Sequence, residues 1–190
     1  MNQEAVVVVS GLPRSGTSMM MQMIEAGGME ILTDRLRKPD DDNLKGYYEL
    51  EGVKRLDKDQ TCLDEARGKA VKVISELLKY LPVKHHYKVV FLRRKMEEIL
   101  ASQRQMLIRR GKPIDPKADE GLSELFQRSL KHVEEWLERQ PNIDVIYIDY
   151  NATMQNPREN AEKINRFLNG ILDVEKMAKV ADNRLYRQRL

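Results

Sequence analysis

Short runs of β-branched and aliphatic residues alternate with longer amphipathic stretches along the chain. Uninterrupted apolar runs are typical of strands in a parallel sheet that is covered on both faces. The pattern predicts strands at Ala5–Ser10, Ala70–Ile74, Lys88–Leu92 and Val145–Asp149. It predicts helices at Thr17–Ala26, Leu50–Lys58, Met96–Arg110, Leu122–Gln140 and Pro157–Leu168. This alternation indicates a doubly wound α/β fold, in which helices flank a central parallel sheet of about four to five strands.

Polar stretches and composition limit the number of domains, the class of partner and the location of the protein. Lys38–Lys45 and Gly111–Gly121 predict surface loops, and neither is long enough to link two domains, so the 190 residues are expected to form a single domain, 1–190. The 33 basic and 30 acidic residues are too evenly balanced to indicate a nucleic-acid partner. The apolar run Ala5–Val9 is too short for a signal peptide or a membrane span. With Cys62 as the only cysteine, no disulfide framework is possible, which favours a cytoplasmic location.

A glycine-bounded loop, Gly11–Gly16, joins the first strand to the first helix. This context is typical of a phosphate-binding loop, because glycines turn backbone N–H groups inward and the helix N-terminus adds its positive dipole end. Arg14 adds donors suited to phosphate or sulfate, and Thr17 and Ser18 add hydroxyls. Thr17 occupies the position at which nucleoside triphosphatases carry a lysine, the residue that works together with Mg²⁺. The loop therefore suits a smaller, less charged group such as a sulfuryl group, bound without a metal.

The loop residues resemble the 5′-phosphosulfate loop of sulfotransferases that use 3′-phosphoadenosine 5′-phosphosulfate (PAPS). In that family the loop reads Pro, Lys or Arg, Ser, Gly, Thr, then Ser or Thr. The matching residues here are Pro13, Arg14, Ser15, Gly16, Thr17 and Ser18. The resemblance implies a three-layer fold like that of P-loop NTPases, with PAPS as donor and adenosine 3′,5′-bisphosphate as product. Arg14 is expected to contact the bridging oxygen and the leaving group.

A second anion site is predicted after the third strand, where Arg93 and Arg94 stand. Ligands collect at the carboxyl ends of strands in open α/β sheets. Ser102 follows Arg94 by eight residues, the spacing of the arginine and serine that bind the 3′-phosphate in the family. The family usually has a proline soon after this arginine, whereas Lys95 and Met96 stand here.

The resemblance extends over most of the chain. The segment NIDVIYIDYNATMQNPRENAEKINRFLN, residues 142–169, is similar to the family's late strand, polar turn and amphipathic helix. The family closes its nucleotide site with a basic C-terminal loop that contains a glycine. That glycine is missing here, but three arginines of the C-terminal segment match the basic character, and we expect them to contact the nucleotide: Arg184, Arg187 and Arg189.

Acceptor chemistry requires a cation and a proton acceptor. Lys72 interrupts an apolar strand and resembles the family's lysine at that strand. Cytosolic members carry a histidine two residues later, but Ile74 stands here. Other members use a glutamate from the segment after the first helix. Glu49 fits that placement best, with Asp34 and Glu30 as rivals.

The three histidines are expected to lie on the surface: His85, His86 and His132. The favoured function is a sulfotransferase that modifies a hydroxyl or amine, with a small-molecule acceptor and no membrane or nucleic-acid partner. One alternative is a P-loop phosphotransferase, because Val145–Asp149 looks like a strand that ends in a magnesium-binding aspartate. The other is a nucleotide-binding protein without catalytic activity.

Overall fold

A four-stranded parallel sheet forms the centre of the molecule. The computed structural model describes residues 5–36, 46–113 and 118–181. The strands are β1 (Val6–Gly11), β2 (Ala70–Lys72), β3 (Tyr87–Arg93) and β4 (Ile143–Asp149). Their order is β2-β1-β3-β4, and each neighbouring pair is parallel. The predicted α/β fold with a central parallel sheet is confirmed.

Helices cover the sheet. They are α1 (Thr17–Ala26), α2 (Met96–Arg109), α3 (Ala118–Leu137), α4 (Tyr150–Gln155), α5 (Pro157–Phe167) and α6 (Val174–Val180). Three 3-10 turns complete the described elements: Glu51–Arg55, Thr61–Leu63 and Ser75–Tyr80.

The valines of β1 divide the core into two parts, because successive side chains of a strand point to opposite faces. Val7 and Val9 pack with the methionines of α1 and with residues of α5 and α6. Val6 and Val8 pack on the other face with Leu137 of α3 and with apolar residues of the 3-10 turns. The sheet is thus the middle layer of three.

Several predicted boundaries are wrong. The helix predicted over Leu50–Lys58 is only the 3-10 turn Glu51–Arg55. Glycine disfavours an α-helix, and a Cβ at Gly52 would lie 2.5 Å from that of Cys62. β2 ends at Lys72 instead of Ile74, and α3 begins at Ala118, inside the loop predicted for Gly111–Gly121.

Two short helices were not predicted. The Asp149 carboxylate caps α4 by accepting a hydrogen bond from the Ala152 N–H, and Asp173 caps α6 by accepting from the Lys176 N–H. Both segments are too short to show a helical period in the sequence. The predicted loop Lys38–Lys45 lies outside the described residues.

Candidate active site

The strand register brings the predicted site residues to one edge of the sheet. Lys72 is paired with Val9 near the ends of β2 and β1. Gly11 is paired with Leu92, and Arg93 with Asp149. The phosphate loop, Lys72, Arg94 and the β4–α4 junction therefore meet at the carboxyl edge, where ligands bind in folds of this kind.

The loop between β1 and α1 has the backbone of an anion-binding turn. Arg14 and Gly16 have φ angles of 70° and 102°, both left-handed. The N–H and the hydroxyl of Ser15 both donate to the Leu12 carbonyl, at 3.2 and 2.7 Å, so this buried side chain closes the loop on itself. Met20 N–H donates to the Gly16 carbonyl as the first intrahelical bond of α1. The preceding N–H groups of the first turn have no acceptor within the helix and suit an anion.

Tyr150 explains why the loop requires glycine at its end. A Cβ on Gly16 would collide with the Tyr150 ring. The same ring lies 4.4 Å from the guanidinium carbon of Arg94. Burial raises the pKa of Tyr150, and the positive charge of Arg94 partly opposes the shift. Tyr150 thus stays neutral and separates the loop glycine from the arginine.

The two predicted anion sites are adjacent. The Nε of Arg14 donates to the Ser102 hydroxyl at 2.9 Å. Arg94 donates through one terminal nitrogen to the Arg14 carbonyl at 3.0 Å. Arg14, Arg94 and Ser102 therefore form one cluster, although Ser102 is 88 residues from Arg14 along the chain.

Arg93 takes a different direction. Its guanidinium donates to the Glu134 carboxylate on α3 at 2.7 Å and lies 3.9 Å from the Tyr147 ring. Of the two arginines, Arg94 is the one that contacts the loop.

Sequence reasoning missed the residues that hold Arg94. The Nε of Arg94 donates to the Glu98 carboxylate at 2.8 Å, and the Asn151 amide donates to the other Glu98 oxygen at 2.6 Å. The Arg94–Glu98 pair could have been inferred from the sequence, because Glu98 follows Arg94 by four residues where a helix is predicted to begin. The Asn151 contact spans 53 residues and had no signal in the sequence.

Lys72 points into the protein rather than into water, since its side chain is only 9% exposed. Its ammonium group donates to the Tyr47 carbonyl. That carbonyl also accepts from the Ser18 hydroxyl at 3.4 Å, which ties the segment to the start of α1. The ammonium lies 3.8 Å from the Glu49 carboxylate, so Lys72 and Glu49 are neighbours beside the phosphate loop.

The segment that carries Glu49 is held by side chains. The Thr33 hydroxyl donates to the Glu49 carbonyl at 2.7 Å, and the Tyr48 hydroxyl donates to Glu25 of α1 at 2.6 Å. Burial and this contact with Glu25 raise the pKa of Tyr48. The second oxygen of Glu49 lies 3.8 Å from the ammonium of Lys54, so two cations flank the carboxylate.

The rival carboxylates have other contacts. Asp34 accepts from the backbone N–H groups of Glu51 and Leu36, at 2.6 and 3.0 Å. Glu30 pairs with Lys69, and its carbonyl accepts from the Ala70 N–H at the start of β2, so it lies at the opposite edge of the sheet. The Glu49 carboxylate, for its part, lies 3.8 Å from the ammonium of Lys72.

The surface prediction for the histidines is wrong for His85. This side chain is buried, with 4% of the residue exposed, and its Nδ1 accepts from Arg67 Nε at 3.3 Å. It packs edge-on against the Tyr87 ring, 6.1 Å between centroids, at the start of β3. His86 and His132 are exposed as predicted.

Asp149, the residue on which the alternative of a magnesium-dependent phosphotransferase rests, has a structural role in the fold. Asp149 accepts a hydrogen bond from Ala152 N–H at 2.7 Å and caps α4. Within residues 5–36, 46–113 and 118–181, no group of three or more His, Cys, Asp and Glu side chains could hold a metal ion.

The predicted nucleotide contacts Arg187 and Arg189, together with Arg184, lie outside the described residues.

The family model of the sulfotransferase domain matches residues 4–188. The chain belongs to the sulfotransferase family. The protein is therefore an enzyme that transfers a sulfuryl group, in a family that uses PAPS as its donor.

Among solved structures, this sulfotransferase is similar to the sulfotransferase from Alicyclobacillus acidocaldarius, with 13% sequence identity and a TM-score of 0.47. The similarity covers 87% of this chain and 81% of the other. No curated protein gives a significant sequence match. In the part of the sulfotransferase that the structure describes, no helix is long and apolar enough to cross a membrane.

Proposed function

We propose that this sulfotransferase takes its sulfuryl group from PAPS and transfers it, without a metal, to a hydroxyl or amine of a small-molecule acceptor. The contact between Arg14 Nε and the Ser102 hydroxyl carries the proposal. It joins the residue predicted for the 5′-phosphosulfate to the residue predicted for the 3′-phosphate. A donor that carries two anionic groups on one ribose, at the 3′ and 5′ positions, matches two adjacent anion sites better than a nucleoside triphosphate does.

The donor is bound by two kinds of groups. The phosphate loop and the start of α1 offer N–H groups and the Thr17 and Ser18 hydroxyls to the phosphosulfate. Arg94 and Ser102 bind the 3′-phosphate. Pro13, Ser15 and Gly16 shape the loop, and the C-terminal Arg187 and Arg189 add positive charge to the nucleotide site.

The reaction moves one group and one proton. The acceptor oxygen or nitrogen attacks sulfur, and the bond from sulfur to the bridging phosphate oxygen breaks. Arg14 and Lys72 stabilise the negative charge that develops on the sulfuryl oxygens and the leaving phosphate. Glu49 takes the proton of the acceptor, and adenosine 3′,5′-bisphosphate leaves.

A transfer assay tests the proposal. The sulfotransferase is incubated with ³⁵S-labelled PAPS and a panel of phenols, alcohols and amines, with and without EDTA, and in parallel with ³²P-labelled ATP–Mg²⁺. We expect labelled product from at least one acceptor class and none with the Arg14→Ala variant. Loss of transfer in EDTA, or transfer of phosphate from ATP–Mg²⁺ instead, would contradict the proposal.

A further inference from the structure

Glu98 is a fully buried carboxylate beside the nucleotide site. Its residue exposure is 0%, and it lies in the first turn of α2, which begins at Met96. An ionised carboxylate removed from water is costly unless charged and hydrogen-bonding partners replace the water. The burial of the Glu98 carboxylate therefore requires partners that offset this cost.

Glu98 has partners on neighbouring elements. Arg94 follows β3 and donates to one carboxylate oxygen at 2.8 Å. Asn151 of α4 donates to the other at 2.6 Å. The N-terminal end of α2 adds its positive dipole end. The Arg94 guanidinium, the Asn151 amide and the helix end replace the water that the buried Glu98 carboxylate loses, and Glu98 connects α2 with α4 and with the segment after β3.

These contacts fix the direction of the Arg94 guanidinium. Glu98 holds its Nε, the Tyr150 ring lies 4.4 Å from its central carbon, and a terminal nitrogen donates to the Arg14 carbonyl. The Arg94 side chain is only 8% exposed. A long side chain that is held in this way loses little conformational freedom when it binds an anion.

We propose that Glu98 and Asn151 are positioning residues, which hold Arg94 so that the enzyme distinguishes nucleotides with a 3′-phosphate from those without one. The inference rests on the proposed PAPS site. Removal of the Glu98 charge has two opposite effects: it leaves the cluster more positive, and it releases Arg94. The inference states that the loss of position outweighs the gain in charge.

The neighbouring arginine provides a matched control. Arg93 pairs with Glu134 at 2.7 Å, but these side chains are 48% and 29% exposed and point towards α3. Glu134→Gln thus removes one carboxylate from an arginine of the same strand end, without touching the nucleotide cluster.

The experiment measures the dissociation constants of adenosine 3′,5′-bisphosphate and adenosine 5′-monophosphate by calorimetry. These nucleotides differ only in the 3′-phosphate, so their affinity ratio reports its recognition. We expect Glu98→Gln to lower the ratio about tenfold, the size of one charged hydrogen bond. Glu134→Gln should leave the ratio unchanged. In an Arg94→Ala background, Glu98→Gln should change the ratio no further.

The outcomes separate the inference from the proposed function. If the wild type binds both nucleotides equally, the proposed donor site is wrong. If the wild type prefers the bisphosphate and Glu98→Gln keeps or raises the ratio, Glu98 is structural and the inference is wrong, even if the melting temperature falls. Should Glu98→Gln fail to fold, Asn151→Ala removes one support of Glu98 and leaves Arg94 intact. A ratio unchanged in that variant would equally overturn the inference.

Discussion

The two halves of the proposed active site, one for the donor and one for the acceptor, are built in different ways. The donor half consists of the loop Leu12–Gly16, Arg94, Ser102 and Tyr150, at the ends of regular strands and helices. The acceptor half consists of Tyr47–Glu49 and Lys72, and Tyr47–Glu49 belongs to a segment without regular structure. In the donor half, the ends of the paired strands β1 and β3 set the position of the backbone that carries Arg14 and Arg94. In the acceptor half, side-chain contacts to the Tyr47 and Glu49 carbonyls set the position of the backbone.

This difference indicates which part of the site can change its substrate specificity while the fold is kept. The donor half cannot move without disturbing the sheet, so it suits a fixed nucleotide. The acceptor half depends on a few side-chain contacts, which sequence changes can replace without loss of the core. We therefore expect substitutions in the two halves to affect different quantities.

The largest effect is expected in the acceptor half. Glu49→Gln should lower turnover by about 10²–10⁴-fold, because the acceptor loses its general base. Nucleotide affinity should stay the same, since the donor half is untouched. Steady-state kinetics with an acceptor from the transfer assay, together with calorimetry, provides both quantities.

Glu51→Gln is the matched control, because Glu51 is a nearby exposed carboxylate that pairs with the same Lys54. It should keep normal turnover. Normal turnover of Glu49→Gln, or an equal loss in both variants, would show that Glu49 is not the base.

The next effect is expected in the donor half. Arg94→Ala should weaken binding of adenosine 3′,5′-bisphosphate by about 1.5–3 kcal/mol, the value of a hydrogen bond to a charged group. Adenosine 5′-phosphosulfate, which lacks the 3′-phosphate, should bind almost as before. Arg93→Ala should change neither affinity. Equal losses for both nucleotides would place the role of Arg94 elsewhere.

The smallest effect on function is expected for His85, which lies before β3 at the opposite edge of the sheet. Its substitution should change stability and leave both halves of the site intact. Burial and the charges of Arg67 and Lys84 lower the pKa of His85, while Asp64 opposes them. The folded protein therefore holds a neutral imidazole. The resulting stability is complete above the unfolded-state pKa of about 6.5 and is lost as the pH falls below it.

Urea unfolding between pH 8 and pH 5 checks this expectation. His85→Gln should lose stability less steeply on acidification than the wild type, and its nucleotide affinity at pH 8 should be unchanged. The exposed His86→Gln should behave as the wild type. Identical slopes for wild type and His85→Gln would show that His85 does not control this pH dependence.

The donor half could be predicted from the sequence because local patterns encode it. The valine run and the glycine loop predicted β1 and α1, and α1 occupies the predicted residues Thr17–Ala26. The spacing of Arg94 and Ser102 was visible as well, but the buried contacts of Glu98 join residues far apart in the chain. A sequence pattern does not show which residues after β3 and in α4 lie next to each other, so those contacts could be found only in the folded structure.

The acceptor half was harder to predict, for physical reasons. A 3-10 turn has too few residues to show a period, so Glu51–Arg55 was mistaken for part of a longer helix. Tyr48 has a φ of 53°, a left-handed conformation that is uncommon for tyrosine and is not predicted from the sequence. His85 looked exposed because it lies in a turn, yet Arg67 and Tyr87 enclose it.

The central claim is that two adjacent anion sites bind a donor with a 3′-phosphate and a 5′-anionic group on one ribose, and that no metal is needed. Isothermal titration of adenosine 3′,5′-bisphosphate with and without EDTA, beside a titration of ATP–Mg²⁺ without EDTA, tests it most directly. We predict tight binding of the bisphosphate, unchanged by EDTA, and weaker binding of ATP–Mg²⁺. Loss of bisphosphate binding in EDTA, or tighter binding of ATP–Mg²⁺, would contradict it.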